Sequence, residues 1–249
     1  MKTTIVTFVN EGYLPIVRNW LVAIARLNLT GQALVVTLDE SAHEALANSG
    51  VRLLHRPKTL PGLNGLWIHR VAVLSELLKA GENIVHSDAD AVWLGDPMPA
   101  LTSGAFDLVF TQGTIWPPEV HAKRGIVLCC GLYFVRGTPQ AGRFFARIAE
   151  RVRSDTDDQR ALNRMVDETF HDWVIEAPYA IPFRDTQFIC SRRPITAQGP
   201  DVTLAVLPHH AYPRLMNGSD GVIVGHPLSG KTCEETRVVL QQHGLWLLD

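Results

Sequence analysis

The sequence predicts an α/β fold, because short β-branched runs alternate with longer amphipathic runs over the first hundred residues. This alternation is typical of β-α-β units and of a mostly parallel sheet. Of the 249 residues, 46% are hydrophobic and 19% charged, so the chain can bury a sizeable core as one domain or two closely joined lobes. The sequence has no internal repeat and no low-complexity tract, and nothing in its composition indicates disorder.

The first half is predicted to hold four strands and three helices. We expect strands at residues 4–9, 33–38, 51–54 and 83–86, and helices at residues 14–27, 41–48 and 66–79. The third helix is supported by apolar side chains at helical spacing and by Gly81, which lies where a C-cap belongs.

The second half is less regular. We expect strands at residues 107–111, 125–136 and 202–207, and helices at residues 139–153 and 158–169. Loops rich in proline and glycine are expected at residues 116–124, 193–201 and 208–221. A break near residue 100 is expected to divide the chain into two halves that share one continuous sheet.

Charge and composition exclude several classes of partner. With 23 basic and 25 acidic residues, the chain has no global positive field to favour a nucleic acid or an anionic membrane surface. Its N-terminal apolar run is too short for a signal peptide, and no segment approaches the roughly 20 apolar residues of a membrane helix. We therefore expect no membrane span and a cytoplasmic location. Cys129, Cys130, Cys190 and Cys233 lack C-x-x-C spacing, and we expect them to be reduced.

An acidic pair follows the fourth predicted strand. Asp88 and Asp90 lie at the carboxyl-terminal end of this strand, the edge where open α/β sheets bind ligands. In the turn after the strand both carboxylates can converge on one cation, and their hard oxygens favour Mg²⁺ or Mn²⁺, which suit a diphosphate. Such a spacing also occurs by chance on solvated loops, but here it lies between apolar segments. Asp96, which precedes a proline, is interpreted as a turn opener.

Several segments resemble, in order along the chain, the motifs of one enzyme family. Residues 86–97 read His-Ser-Asp-Ala-Asp-Ala-Val-Trp-Leu-Gly-Asp-Pro, residues 158–163 read Asp-Gln-Arg-Ala-Leu-Asn, and residues 226–231 read His-Pro-Leu-Ser-Gly-Lys. The first resembles the Asp-x-Asp segment of the nucleotide-diphospho-sugar transferase family. The other two are similar to the Asp-Gln-x-x-Leu-Asn and His…Gly-Lys motifs of retaining GT-A galactosyltransferases. Strands 4–9 and 34–39 and the ending at 244–248 also resemble the family. The resemblance implies the GT-A fold, a single Rossmann-like mixed sheet flanked by helices.

The resemblance implies a metal site and a diphosphate site. Asp88 and Asp90 would bind the metal, and His226 would supply a third ligand from the C-terminal loop. Because imidazole accepts Mn²⁺ more readily than Mg²⁺, this set favours Mn²⁺. Lys231 would donate to the diphosphate. The alternatives are a loop histidine bonded to backbone and an ordinary surface lysine.

The same resemblance assigns catalytic roles to residues at the start of the helix at 158–169. Asp158 would bind hydroxyls of the donor sugar, Gln159 would lie near the anomeric carbon, and the reaction would retain the anomeric configuration. Because an amide oxygen is a poor nucleophile, a front-face reaction is favoured over a covalent intermediate. The metal and Lys231 would stabilise the leaving group. Asp157 is interpreted instead as a helix cap.

Four more residues are expected to contact the donor. Thr7 belongs to the strand that resembles the nucleotide-binding start, and Asp39 would accept from a ribose hydroxyl or a base edge. Arg70 would reach the phosphates or the sugar, and Gly131 would let backbone approach the sugar closely. The alternatives are a turn role for Asp39 and coverage of apolar surface by Arg70.

We therefore predict a single GT-A domain over residues 1–249, in which residues 1–100 bind the nucleotide sugar, expected to be UDP-linked, and residues 101–249 bind the acceptor. The acceptor is expected to be a glycan or a small hydroxyl compound, contacted by loops around Trp116 and Tyr212, although such side chains also serve as packing anchors. The predicted enzyme is a metal-dependent, retaining hexosyl- or pentosyltransferase of polysaccharide biosynthesis.

Two other functions remain as alternatives. One is a module that binds a nucleotide sugar or a glycan without turnover. The other is a phosphohydrolase, because residues 88–92 also fit an Asp-x-Asp-x-Val pattern. That class carries its motif on the first strand, whereas three predicted strands precede it here.

Overall fold

The computed structural model describes residues 2–218, 220–230 and 232–248. In the first half, all predicted strands and helices are confirmed, with small shifts at their ends, and two short elements are added. The strands are β1 (Thr3–Val9), β2 (Ala33–Thr37), β3 (Arg52–His55), β4 (Asn83–Ser87) and β5 (Val92–Trp93). The helices are α1 (Leu14–Arg26), α2 (Glu40–Leu46), α3 (Gly62–Lys79) and α4 (Met98–Leu101). Gly81 follows α3 with a positive φ of 80°, as the C-cap prediction requires.

The second half holds more elements than the sequence predicted. Its strands are β6 (Leu108–Gln112), β7 (Leu128–Val135), β8 (His171–Val174), β9 (Pro178–Phe183), β10 (Thr186–Ser191), β11 (Ile195–Gln198), β12 (Thr203–Val206) and β13 (Val224–Gly225). Its helices are α5 (Pro118–Arg124), α6 (Pro139–Asp155), α7 (Asp158–Thr169) and α8 (Cys233–Gln242).

Two predicted loops of this half are wrong. The loop at 116–124 contains α5, which starts with Pro118 at its first position and ends at Gly125, whose φ is 69°. Proline at the start and a left-handed glycine at the end are helix signals that a proline-rich composition masked. The loop at 193–201 contains β11, and the strand expected at 125–136 begins only at Leu128.

One nine-stranded sheet takes strands from both halves of the chain, in the order β3-β2-β1-β4-β7-β6-β12-β11-β8. The first four strands in this order are parallel to one another, as predicted. Beyond β4 the sheet is mixed, because β7 is antiparallel to both β4 and β6, and β11 is antiparallel to β12 and β8. The predicted mixed sheet is therefore confirmed, while a mostly parallel sheet describes only the first half.

Helices cover both faces of the sheet. Apolar side chains of α3, α6 and α7 pack in one cluster with one face, and those of α1 and α8 pack in a second cluster with the other. Burial on both faces explains why all eight residues of β7 are buried. Among the described residues, no helix combines the length and apolar character needed to cross a bilayer.

Candidate functional site

The acidic pair lies in a tight turn directly after β4. The Asp88 amide donates to the Gly131 carbonyl of β7 (2.7 Å), and the Ala91 amide donates to the Asp88 carbonyl (3.0 Å). The hydroxyl oxygen of Ser87 accepts hydrogen bonds from the indoles of Trp20 and Trp93, each at 3.1 Å. These bonds fix the turn at the carboxyl edge of the sheet, next to the point where the parallel strands give way to β7.

His226 reaches the acidic pair through a short antiparallel ladder. β13 pairs with β5, and Gly225 lies opposite Val92, so the residue after β13 returns to the turn after β4. The Nε2 atom of His226 lies 3.4 Å from Oδ1 of Asp90 and 4.0 Å from Oδ2 of Asp88. One ligand atom from each of the three side chains lies within 4.8 Å of the others. We call this set, Asp88, Asp90 and His226, the triad.

The triad needs a glycine beneath it. A Cβ atom added to Gly131 would lie 2.7 Å from Nδ1 of His226 and 2.9 Å from Oδ2 of Asp88. Gly131 thus makes room for the triad, while the predicted approach of its backbone to the donor sugar stays a prediction.

Electrostatics hold the triad in a charged state. Burial disfavours an ionised Asp88, but Arg70 and two histidines outweigh it and keep the pKa of this carboxyl well below its usual range. Burial also opposes ionisation of Asp90, whose pKa is lowered by the neighbouring His226. Burial and Arg214 favour a neutral His226, yet Asp90 and Cys129 raise its pKa to about 9. At neutral pH the positive charge of protonated His226 thus offsets negative charge on the two carboxylates. A divalent cation bound by the triad would take the place of the proton on this ring.

Arg70 lies behind the triad and joins two acids. Its guanidinium donates to Asp88 (2.6 Å) and, through Nε (2.9 Å) and a shorter bond from Nη2, to Asp158. Arg70 and Asp158 are both buried, so the interpretation that Arg70 covers apolar surface is wrong. Its guanidinium instead binds the carboxylates of Asp88 and Asp158.

Asp158 is held away from solvent by this arrangement. It is buried, and burial raises its pKa to about 6 although Arg70 opposes the shift. For the predicted contact with the donor sugar, the carboxylate of Asp158 would have to accept from sugar hydroxyls while it still accepts from Arg70.

Gln159 joins three elements around the site. Its Oε1 accepts from the Cys130 amide of β7 (3.2 Å), and its Nε2 donates to the Trp116 carbonyl (2.8 Å). Asn163 fastens α7 to β7 in the same way, with its Oδ1 accepting from Leu128 N (2.7 Å) and its Nδ2 donating to Leu128 O (2.9 Å). Asp157 caps α7 by accepting from Arg160 N at 2.7 Å, as interpreted.

The remaining predicted donor contacts are not drawn into the triad. Thr7 is fully buried in β1, and its hydroxyl has no hydrogen-bond partner among the described residues. Asp39 caps α2 by accepting from Ala42 N (2.8 Å) and also accepts from Glu11 N (2.9 Å), which is its alternative turn role. Lys231 lies outside the described residues.

Four residues near the triad were not predicted. Ser229 donates to Asp90 at 2.9 Å, and Cys129 Sγ lies 3.8 Å from Nδ1 of His226. Burial and the charges of the two triad acids raise the pKa of Tyr13, and Arg214 lowers that of Asp90. Ser229 falls inside the 226–231 motif, where its spacing could have indicated it, whereas the other three carry no local signal.

The comparison with known sequences places this geometry in a family. A model of the nucleotide-diphospho-sugar transferases matches residues 28–220. In Arabidopsis thaliana, the protein named UDP-D-xylose:L-fucose alpha-1,3-D-xylosyltransferase 3 is 26% identical over 197 residues, which are 68% of this chain and 51% of that protein. The protein named UDP-D-xylose:L-fucose alpha-1,3-D-xylosyltransferase 1 is 24% identical over 281 residues, which are 99% of this chain and 71% of that protein. The chain thus spans about half the length of the first relative.

Solved structures agree on the fold. The galactosyltransferase LgtC, in complex with donor and acceptor sugar analogs, is 13% identical and aligns with a TM-score of 0.53, covering 99% of this chain and 97% of its own. The glycosyltransferase GlyE of Streptococcus pneumoniae is 11% identical and aligns with a TM-score of 0.54, covering 100% of this chain and 61% of its own. This chain belongs to the nucleotide-diphospho-sugar transferase family and has the GT-A fold.

Proposed function

We propose that this protein is a metal-dependent glycosyltransferase that moves a sugar from a UDP-linked donor to a hydroxyl group with retention of configuration. The observation that carries this proposal is the triad, which gathers two carboxylates and an imidazole at the carboxyl edge of the sheet. The names of the two Arabidopsis relatives give UDP-D-xylose as donor and L-fucose as acceptor. We propose these two as the first substrates to test.

The triad fits Mn²⁺ by its chemistry. Asp88 and Asp90 offer hard oxygen ligands, and the imidazole of His226 favours Mn²⁺ over Mg²⁺. Gly131 leaves the space that both His226 and Asp88 occupy, as expected of backbone built around a ligand set. The bound cation would neutralise the negative charge that grows on the leaving diphosphate.

The chain's own residues would divide the remaining work. We propose that Gln159 lies beside the anomeric carbon, since its amide group contacts the backbone next to Gly131. Asp158 would hold donor-sugar hydroxyls while Arg70 balances its charge. Lys231, five residues after His226, would donate to the diphosphate. Thr7 and Asp39 stay proposed donor contacts on the strength of the family resemblance alone.

We propose retention on the strength of the family resemblance, and we favour a front-face reaction because the two acids beside Gln159 are already engaged. A covalent intermediate needs a carboxylate nucleophile near the anomeric carbon. Asp158, the acid beside Gln159, is engaged by Arg70, and Asp157 is engaged as the cap of α7. We therefore propose that the acceptor attacks from the side of the leaving group, whose phosphate accepts the proton.

The two halves of the chain would cooperate at one site. Residues 1–100 would bind the nucleotide sugar, and residues 101–249 would bind the acceptor. His226 belongs to the second half but joins Asp88 and Asp90 of the first, so the second half would also contribute to holding the donor.

The test begins with titration of UDP into the protein by calorimetry, in MnCl₂ and in EDTA. UDP-D-xylose, UDP-galactose and UDP-arabinose are then incubated with methyl α-L-fucopyranoside, and the anomeric proton of any product is recorded by NMR. We expect UDP binding that requires the metal and a product of retained configuration. Binding that persists in EDTA would contradict metal dependence, and an inverted product would contradict retention. Binding without transfer or donor hydrolysis would identify a non-catalytic module.

A further inference from the structure

Trp116 is an exposed aromatic side chain beside the proposed reaction site. The structure describes all six tryptophans, and Trp116 is the one whose side chain is exposed, with 42% of its surface accessible. It lies between β6 and α5. Single exposed apolar side chains are common on protein surfaces, so the contacts of this indole, and not its exposure alone, support a role for it.

The indole is held in place by the start of α7. Its Nε1 donates to Oδ2 of Asp157 (3.2 Å), and its backbone carbonyl accepts from Gln159 (2.8 Å). The guanidinium of Arg160 lies over the ring, 4.5 Å from its centroid. Asp157 and Arg160 thus fix the ring without burying it. A ring that is already ordered can bind a ligand without a further loss of conformational entropy.

Gln159 connects this ring to the triad. The same amide group that donates to the Trp116 carbonyl accepts from the Cys130 amide, and the next residue, Gly131, lies against His226 and Asp88. Gln159 therefore links the backbone of Trp116 to the part of β7 that lies against the triad.

We propose that Trp116 is the stacking platform for the acceptor, and that its ligand is a neutral pyranose whose C–H face packs on the indole. This inference rests on the proposed function. A donor carries a diphosphate that charged groups can bind, whereas a neutral acceptor offers only hydroxyl groups and an apolar ring face. Asp157 and Arg160 are positioning residues: Asp157 accepts from the indole N–H, and Arg160 covers one face of the ring, so the pyranose would pack on the opposite face.

Binding is tested first, with probes of defined chemistry. The protein is labelled with 5-fluorotryptophan, and the Trp116 resonance is assigned by its loss in Trp116→Phe. Methyl α-L-fucopyranoside, methyl β-D-galactopyranoside and methyl β-D-glucopyranoside are each titrated to millimolar concentrations, with and without UDP and MgCl₂. We expect at least one glycoside to shift the Trp116 resonance and to leave the Trp173 resonance in place. If none of the three moves it, the platform is contradicted.

Kinetics then separate acceptor binding from donor binding. Trp116→Ala is expected to raise the acceptor KM about tenfold while kcat and the donor KM change much less, and Trp116→Phe to restore most of the loss. Trp173→Phe is the matched control, because an arginine, Arg124, also lies over that ring (5.4 Å) but on β8 at the far edge of the sheet. An acceptor KM within twofold of wild type in Trp116→Ala would overturn the proposal.

Failure of the proposed function gives a different result. If UDP does not bind with metal, the transferase proposal fails, yet a glycoside that shifts the Trp116 resonance still supports a sugar-binding platform. If UDP binds with metal and transfer occurs while Trp116 variants behave as wild type, only the platform fails.

Discussion

The two ends of the proposed site, the triad and Trp116, consist of chemically different groups. At the triad, ionised side chains are packed at the carboxyl edge of the sheet, and each depends on the charge of another. At Trp116, an exposed and uncharged ring is held by a hydrogen bond at its N–H and by a guanidinium over one face. Buried charges tolerate little change, because removing one leaves its partner without a counter-charge. A substitution at an exposed stacking side chain leaves no buried charge unpaired, so it should lower ligand affinity less. Changes at the triad end should therefore have larger effects than changes at the indole.

The largest effect is expected from removal of a triad ligand. Asp90→Asn keeps the shape of the side chain but loses the charge, and it should weaken Mn²⁺-dependent UDP binding by more than about 100-fold. Calorimetry in MnCl₂ measures this change. Asp96→Asn is the matched control, because Asp96 belongs to the same segment but is exposed and accepts from the Met98 amide outside the triad. Equal UDP affinity in both variants would remove Asp90 from the metal site.

The next largest effect is expected from Arg70, which supports the triad from behind. Arg70→Met removes the counter-charge of buried Asp158 and should lower the free energy of unfolding by about 3 kcal/mol. In a chain of this size, that corresponds to a fall in Tm of roughly 6–12 °C. Urea unfolding followed by circular dichroism measures it.

Two further variants sharpen this test. Arg237→Met breaks an exposed pair with Glu234 on α8 and should change stability by less than about 1 kcal/mol. Adding Asp158→Leu to Arg70→Met should recover part of the loss, because no uncompensated carboxylate then remains between α3 and α7. A double variant less stable than Arg70→Met would show that packing, not charge, explains the effect.

The same contrast explains how much of the fold could be predicted from the sequence. The elements from β1 to β4 were predicted nearly to their ends, since apolar periodicity and the glycine after α3 are local signals. The β9–β10 hairpin was missed. Its turn residues are Arg184 and Asp185, and Arg184 has a φ of 54°, so the Asn-Gly or Asp-Gly signal of a tight hairpin is absent.

The site divides in the same way. Asp88, Asp90 and His226 were predicted through motif resemblance, and the structure brings them together. The pairing of Arg70 with both Asp88 and Asp158 could not be predicted, because it depends on how α3 and α7 pack against the end of β4. Cys129 was expected only to be a reduced thiol, and no spacing in the sequence relates it to a histidine almost a hundred residues later.

A smaller effect is expected from pH, which changes the protonation of His226 in the triad. His226 has a pKa of about 9 in the metal-free protein, and its ring must be neutral to bind a metal. Apparent Mn²⁺ affinity should therefore rise about tenfold per pH unit between pH 6.5 and 8.5. The charged or titratable groups that face this ring are Asp88, Asp90, Arg214 and Cys129. The variant His226→Gln keeps these groups and removes the titrating ring, so it shows how much of the pH dependence comes from His226.

In His226→Gln the slope should be much shallower, and calorimetry with MnCl₂ at several pH values measures both proteins. Stability of the metal-free protein should change in the other direction. A raised histidine pKa stabilises the fold fully below about pH 6.5, and this contribution is lost as the pH rises through about 9. A parallel slope in the two proteins would show that another group competes with the metal.

The smallest effect at this end is expected from Cys129, which contacts the imidazole at Nδ1, the nitrogen farther from the two acids. Its Sγ lies 3.8 Å from Nδ1 of His226 and accepts from the Gly131 amide at 3.3 Å. If Nε2 binds the metal, Nδ1 keeps its proton and needs an acceptor, which the sulfur provides. Cys129→Ala should therefore weaken Mn²⁺ affinity about tenfold, and Cys129→Ser should weaken it less. Cys190→Ala, which alters a buried thiol on β10, is the control. Matching Mn²⁺ affinities in Cys129→Ala and Cys190→Ala would mean that Gly131 and the backbone alone hold His226 in place.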